Sequence, residues 1–125
     1  MSDSYRDLVA WQRAMGPVKQ VYELTNTFPQ REIYGLTNQI RRCAVSIPSN
    51  IAEGKGRRSK REYYQFLCRA RGSLFELETQ LEIASNLEYL SSEAYSFVRD
   101  QASKVAKPLN GLIAALQQQI DSDES

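Results

Sequence analysis

The chain has 125 residues, of which 42% are hydrophobic and 25% charged, a balance typical of one globular domain. No apolar run is long enough to span a bilayer and the N-terminus lacks an apolar signal segment, so we expect no membrane contact and a cytoplasmic location. The net charge is only +1, but residues 41–71 alone carry +7 and the remaining chain therefore carries −6.

The hydrophobic pattern is helical throughout, and the first predicted helix covers residues 6–26. Its predicted inner stripe consists of Leu8, Trp11, Met15, Val18, Val21 or Tyr22, and Leu24. Gly16-Pro17 interrupts this helix, and a kink near Arg13 is expected because proline lacks an amide donor and crowds the preceding turn. Phe28-Pro29 should end the helix.

The second helix is predicted over residues 32–53, with an inner stripe of Leu36, Ile40, Cys43 or Ala44, Ile47 and Ile51. Pro48 lies inside it and should bend it, which frees the carbonyl of Ala44. Ser46 is a candidate donor to this freed backbone, and Asn50 a candidate bridge to a neighbouring helix. We favour a structural role for Asn50 and Glu53 over a binding site, and Gly54 is predicted to form a left-handed cap.

The third helix should begin at the capping box Ser59-Lys60-Arg61-Glu62 and end near Asn86. Its predicted inner face consists of Phe66, Ala70, Ser73 or Leu74, Leu77, Leu81 and Ala84. Leu67, Phe75 and Ile83 lie off that face, and Tyr5, Trp11 and Tyr22 add aromatic surface on the first helix. This second apolar surface predicts self-association, the alternative being scattered exposed side chains. Gly72 suggests a close helix approach.

The fourth helix is predicted to be capped by Ser91, with an inner stripe of Val98, Ala102, Val105, Leu109, Leu112 and Leu116 and a kink at Pro108. Residues 121–125 are predicted to form a disordered acidic tail after a single domain over residues 1–120. Four long helices with short links predict an all-α fold, an antiparallel up-down-up-down four-helix bundle with proline-kinked helices.

A basic cluster lies around the turn between the second and third helices. The candidate nucleic-acid-binding residues are Arg41, Arg42, Lys55, Arg57, Arg58, Lys60 and Arg61. Their side chains suit phosphate oxygens, and an exposed aromatic side chain among Tyr63, Tyr64 and Phe66 could stack on an unpaired base. The alternative is a solvated loop whose arginines pair with Glu53, Glu62 or acids of a neighbouring molecule.

The residues required for common catalytic chemistry are missing from the sequence. There is no histidine, so the di-iron pattern of helix bundles is excluded and neither Cys43 nor Cys68 has an imidazole to activate it. Both cysteines are expected to be small hydrophobic residues in a reducing compartment. Glu76, Glu78 and Glu82 could bind a hard cation, but surface or interface charges are the favoured interpretation. We predict no enzymatic activity, no metal and no cofactor.

Several separated motifs resemble a bacterial four-helix-bundle family encoded in intervening sequences of 23S ribosomal RNA genes. The main motif consists of Arg42, Ser46, Ile47, Pro48, Asn50, Ile51, Ala52, Glu53 and Gly54. Residues 7–12, Phe28-Pro29, and residues 72–74 and 76–81 agree as well, so the resemblance extends to about Leu116. Gly16-Pro17 and the near-neutral net charge depart from the pattern.

The resemblance also extends to the accessory variability determinant of diversity-generating retroelements. It implies a ring-shaped homo-oligomer, a pentamer, that binds nucleic acid and associates with a reverse transcriptase or another protein. We therefore predict a non-enzymatic, ring-forming bundle that acts as an accessory RNA-binding or scaffolding protein on structured RNA. The alternative is a protein–protein assembly module with no nucleic-acid role.

Overall fold

The computed structural model describes residues 4–124, in which four long α-helices are present and no strand is found. The helices are α1 (Val9–Thr25), α2 (Leu36–Lys55), α3 (Lys60–Asn86) and α4 (Ser92–Glu124). Short 3-10 turns at Tyr5–Asp7 and Gln30–Glu32 precede α1 and α2. The predicted all-α four-helix fold is confirmed, while residues 1–3 of the predicted domain lie outside the described residues.

The four helices form a closed bundle in which each helix contacts its neighbours in sequence and α1 also contacts α4. The links 56–59 and 87–91 are too short to return the chain along a helix, so α2, α3 and α4 alternate in direction. Arg41 near the start of α2 bonds to Thr25 at the end of α1, which makes these two helices antiparallel as well.

The core is built from the stripes predicted for α2, α3 and α4. Ile47, Leu77 and Val105 are 0% exposed, and Ile113 and Ile120 extend the α4 stripe while Leu112 is only half-buried. Leu67 had been predicted to be exposed, but it is 0% exposed. The buried arc of α3 is wide because the helix packs between α2 and α4 and covers two seams rather than one.

α1 packs on the core through a face that only partly overlaps the predicted one, which included Val21 but not Ala10 or Ala14. Its buried residues are Ala10, Ala14, Pro17, Val21 and Thr25, whereas Met15 and Tyr22 are each 44% exposed. Trp11, Val18 and Leu24 are half-buried. Small side chains occupy the inner face, so the larger apolar side chains beside them form a second face that borders α2.

The predicted cap at Gly54 is wrong, because this glycine lies inside α2 with a negative φ, and the helix ends one residue later. A Cβ on Gly54 would lie 2.6 Å from Cβ of Phe66. The glycine therefore permits close packing of α2 on α3. Gly72, for which a close approach was predicted, instead faces open space.

The capping predictions for α3 and α4 are confirmed, because Ser59 Oγ accepts from the Glu62 amide and Ser91 Oγ accepts from the Ala94 amide. Pro17, Pro48 and Pro108 all lie inside helices. Bending at these prolines stays a prediction.

Residues 121–124, predicted to be disordered, form the last turn of α4, and Ser125 lies outside the described residues. This turn is held because Lys60 Nζ lies 2.9 Å from Asp123 Oδ2 and Arg61 pairs with Glu124. Within the part of the chain that the structure describes, no helix is long and apolar enough to cross a membrane.

Candidate functional site

The predicted basic residues do not all lie together. Lys55, Arg57, Arg58, Lys60 and Arg61 lie where α2 ends and α3 begins. Arg69 is not among the predicted binding residues, but it also lies there, because its guanidinium stands 4.6 Å from the Phe66 ring centroid. We call these six residues the basic end. Arg69 follows Phe66 by three residues, and this helical spacing is the signal that links it to the cluster.

Arg41 and Arg42 lie outside the basic end, about 20 Å away along α2. Arg41 is half-buried, donates through Nε to Thr25 Oγ1 at 2.8 Å and stands 4.9 Å from the Tyr22 ring centroid. These contacts fix α1 against α2, so Arg41 has a structural role. Arg42 is exposed and lines a groove between α2 and α3.

Three cations of the basic end are held by carboxylates. Arg57 Nη2 donates to Glu53 Oε2 at 2.6 Å, and Lys60 and Arg61 pair with the acidic end of α4. The predicted pairing with Glu53 is thus present, whereas Glu62 bonds with Ser59. The paired side chains are 40–64% exposed, so solvent screens their attraction.

The remaining cations lie over aromatic rings or have no partner. The Lys55 ammonium stands 5.8 Å from the Tyr63 ring centroid, and the Arg69 guanidinium stands 4.6 Å from that of Phe66, a ring that it shares with Arg57. Arg58 is exposed and has no partner among the described residues. Because Phe66 is 9% exposed and Tyr63 is half-buried, neither offers an open ring for a base to stack on.

The motif around Pro48 makes its hydrogen bonds within α2. Ser46 Oγ donates to the Cys43 carbonyl at 2.6 Å and not to that of Ala44, because a helical serine reaches back three or four residues. Asn50 was expected to bridge to another helix, but its Nδ2 donates to the Ser46 carbonyl at 2.7 Å. These bonds support the structural interpretation of the motif.

Cys43 is not arranged as a nucleophile. Burial raises the pKa of the Cys43 thiol from 9.0 to about 12, and the nearby charge of Glu76 adds to this effect. Cys43 Sγ donates to the Ser73 carbonyl at 3.0 Å, which holds the thiol between α2 and α3. The thiolate needed for nucleophilic attack is therefore scarce at neutral pH.

Comparison with known proteins identifies a family. A family model described as 23S rRNA-intervening sequence protein matches residues 6–111. A solved structure of a protein of unknown function from the S23 ribosomal protein family of Bacteroides thetaiotaomicron is similar, with a TM-score of 0.75 and 23% identity. The match covers 84% of this chain and 98% of that one, and supports the fold. A comparison with curated proteins finds no significant match.

Proposed function

The chain belongs to the family of 23S rRNA-intervening sequence proteins, and we propose that it is a non-enzymatic bundle that binds structured RNA through its basic end. The observation that carries the proposal is the gathering of six cations at one end of the bundle, where exposed carboxylates hold three of them. An accessory or scaffolding role in a complex of RNA with protein, such as a reverse transcriptase, follows as part of the same proposal.

Phosphate can displace the carboxylates that pair with the basic end at a small cost in folding stability. Exposed ion pairs typically contribute about 0–1 kcal/mol, so breaking the pairs of Arg57, Lys60 and Arg61 sacrifices little stability. Each phosphate contact also releases counterions from the RNA, which favours binding at low salt. Arg58 needs no exchange, because no described residue occupies its guanidinium. The arrangement favours sequence-independent contact with the RNA backbone.

Replacing Arg57 and Arg58 with alanine tests the proposed interface. We expect weaker binding to a fluorescein-labelled RNA hairpin and a salt dependence of log K shallower by about 1.8, the contribution of two phosphate contacts in a duplex. Fluorescence anisotropy over a salt series measures both. Lys19→Ala with Lys107→Ala is the charge-matched control, since both lysines are exposed and have no partner among the described residues.

The two double variants separate a local interface from a general charge effect. An unchanged slope in the arginine variant, or an equal loss in the lysine control, would remove the basic end as the binding surface. Absence of RNA binding by the unaltered protein, even at low salt, would overturn the proposed function itself.

The second candidate function is assembly through the outer apolar face of α1. Met15 and Tyr22 are each 44% exposed, and beside them a groove of about 260 Å³ runs between α1 and α2. The proposed occupant is a second copy of the chain, as in the pentamer that the family resemblance implies. Phe75 and Ile83, exposed as predicted at 54% and 43%, provide apolar surface on α3.

Light scattering coupled to gel filtration tests this assembly. We expect a mass that is a multiple of 14.3 kDa, five-fold for a pentamer, and dissociation of the assembly by Met15→Glu. Val9→Glu is the control, because Val9 is 48% exposed but lies on the opposite side of α1 from this groove. A monomeric unaltered protein would rule out self-association.

A further inference from the structure

A polar groove lies between the first half of α2 and the last part of α3, about 20 Å from Lys55 along α2. It has a volume of about 730 Å³, and we call it the α2–α3 groove. Arg42 and Ser46 line it from α2, and Glu76, Gln80 and Ile83 line it from α3. Its charged and amide groups are not used by the proposed contact between the basic end and phosphate.

Gln80 brings an unsatisfied acceptor to this groove. The residue is 8% exposed, and its Oε1 receives no hydrogen bond from the residues that the structure describes. Its Nε2 donates to Glu76 Oε1 at 3.4 Å. This bond sets the orientation of the amide, because the reversed orientation would place two oxygens against each other. A buried oxygen without a donor is unfavourable, so a ligand that draws the Gln80 amide toward the groove and donates to this oxygen gains binding energy.

Glu76 places a carboxylate next to that oxygen. No cation pairs with Glu76 among residues 4–124, although its charge contributes to the raised pKa of the Cys43 thiol across the seam. The carboxylate is therefore turned toward α2 and lines the groove beside Gln80. The carboxylate already accepts from Gln80 Nε2 and from the Cys43 thiol, and its further acceptor positions are left for N–H donors on this side of the groove.

Arg42 supplies donors to the same groove from α2. Its side chain is exposed and makes no ion pair among the described residues, although Glu76 lines the groove as well. The groove thus offers two acceptors from α3 and a guanidinium from α2. A planar ligand with adjacent N–H donors on one edge and acceptors on another would satisfy all three groups.

Guanine is the nucleobase whose edges fit this pattern. Its N1–H and 2-amino groups are adjacent donors, and O6 and N7 accept hydrogen bonds from arginine. Adenine and cytosine each place a ring acceptor beside the amino group, and uracil flanks its single N–H with carbonyls, so these bases would set an acceptor against the Glu76 carboxylate. The exposed side chain of Ile83 gives the groove an apolar surface for the face of the base.

We propose that the α2–α3 groove binds an unpaired guanine base, with Glu76 and Gln80 accepting from its N1–H and 2-amino groups and Arg42 donating to O6 or N7. The source of the base rests on the proposed RNA function: an RNA held at the basic end supplies the guanine from a loop. The distance of about 20 Å to Lys55 corresponds to about six nucleotides of a stacked strand. The groove would then provide base preference, and the basic end affinity for phosphate.

Three RNA hairpins with a single loop purine test the inference. The loop carries guanine, inosine, which lacks only the 2-amino group, or adenine at that position, among uridines. By fluorescence anisotropy at fixed salt, we expect the guanine hairpin to bind about tenfold tighter than the other two, the discrimination typical of one good bidentate contact. Equal affinity for the three hairpins would overturn the inference.

Glu76→Gln should bring the three affinities together, because the variant replaces one carboxylate oxygen by an amide donor. Glu82→Gln is the matched control, as Glu82 is exposed on α3, does not line the groove and has no partner among the described residues. Circular dichroism confirms that both variants fold. A preference for guanine that survives in Glu76→Gln, or is lost equally in Glu82→Gln, would contradict the assignment.

The inference and the proposed function fail in different ways. Arg57→Ala with Arg58→Ala should weaken binding of all three hairpins equally and preserve the preference for guanine. If no hairpin binds, titration of ¹⁵N-labelled protein with GMP, IMP and AMP tests whether the groove binds a free guanine nucleotide. Shifts of the Gln80 side-chain amide with GMP alone would support the groove with a free nucleotide as the source. No shift with GMP would overturn the groove as well.

Discussion

Two glycines within helices have opposite surroundings, and this contrast yields a stability prediction at the residue scale. An added Cβ at Gly54 would lie 2.6 Å from Phe66 Cβ, whereas one at Gly72 would meet nothing within 4 Å. We expect Gly54→Ala to lower the free energy of unfolding by about 1–3 kcal/mol, the usual cost of overpacking. Gly72→Ala should raise it by about 0.5–1 kcal/mol, because alanine favours the helix.

Urea denaturation of the two variants measures both changes. Each variant is the control for the other, since the substitution is identical and only the surroundings differ. Equal effects of the same sign would show that helix propensity, rather than contact between α2 and α3, decides the outcome.

The role of Gly54 also shows what a local pattern cannot predict. A glycine that follows a helical apolar stripe is typical of a cap, and the sequence around Gly54 was interpreted in that way. The contact with Phe66 depends on the position of α3 relative to α2. Similarly, the motif around Pro48 was identified, but the partners of Ser46 and Asn50 depend on how far each side chain reaches within the helix.

At the scale of elements, the inner faces of α2 and α4 were predictable because each has one dominant apolar stripe, and that of α3 was predicted except for Leu67, which covers its second seam. α1 has two adjacent stripes, and the larger side chains were assigned to the core. The structure buries Ala10 and Ala14 instead and leaves Met15 exposed. The size of the apolar side chains alone could not show which stripe of α1 faces the core, because α1 packs closely against the core through small residues.

The start of α2 depends on Glu32, which had been placed inside the helix and lies in a 3-10 turn four residues earlier. Its Oε1 accepts from the Leu36 amide at 3.2 Å, and its Oε2 accepts from the Tyr89 hydroxyl at 2.8 Å. The hydroxyl contributes most to lowering the pKa of the Glu32 carboxyl, and the amide adds to it. One carboxylate thus ties the α1–α2 link to the α3–α4 link.

A pH-dependent stability follows from this carboxylate. Because the pKa of Glu32 is lower in the folded chain, its contribution is complete above the unfolded pKa of 4.5 and is lost as the pH falls through the folded pKa. Glu32→Gln should lower the Tm by a few degrees at pH 7 and by less at pH 3, which flattens the acid side of the stability curve. Thermal denaturation followed by circular dichroism across this range measures the effect.

Glu82→Gln again provides the control, since Glu82 is exposed and has no partner among the described residues. Tyr89→Phe should reproduce part of the Glu32→Gln effect, because it removes the hydroxyl but leaves the bond to the Leu36 amide. A Tm difference for Glu32→Gln that stays constant between pH 7 and pH 3 would show that the carboxylate charge is not involved.

At the scale of the whole molecule, the sequence predicted that positive and negative charge are segregated along the chain. It did not predict that acidic residues at the end of α4 pair with part of the basic end in the folded bundle. Residues 41–71 carry a large excess of positive charge, and the acidic end of the chain was expected to be disordered. The end of α4 instead remains helical and lies beside the start of α3. Composition could not predict this, because burial of Ile120 and the ion pairs of Asp123 and Glu124 depend on the bundle.

This arrangement makes the acidic end of α4 a competitor of RNA under the proposed function. Asp123→Asn with Glu124→Gln would leave Lys60 and Arg61 available to phosphate. We expect tighter RNA binding and a salt dependence of log K steeper by about 1.8 if both freed cations engage. Stability should change by about 1 kcal/mol or less for each exposed pair. Anisotropy titrations over a salt series, together with urea denaturation, measure both effects.

Removing two negative charges anywhere on the protein would also raise its affinity for RNA. The control therefore removes two negative charges far from the basic end. Glu82→Gln with Glu93→Gln serves this purpose, since both residues are exposed, have no partner among the described residues and lie near the end of α3 and the start of α4, at the opposite end of the bundle. Long-range charge should change the affinity of both double variants similarly, with a small change in slope. A steeper slope confined to Asp123→Asn with Glu124→Gln would identify α4 as the element that limits access of RNA to the basic end. Equal slopes in the two variants would mean that Lys60 and Arg61 do not contact phosphate.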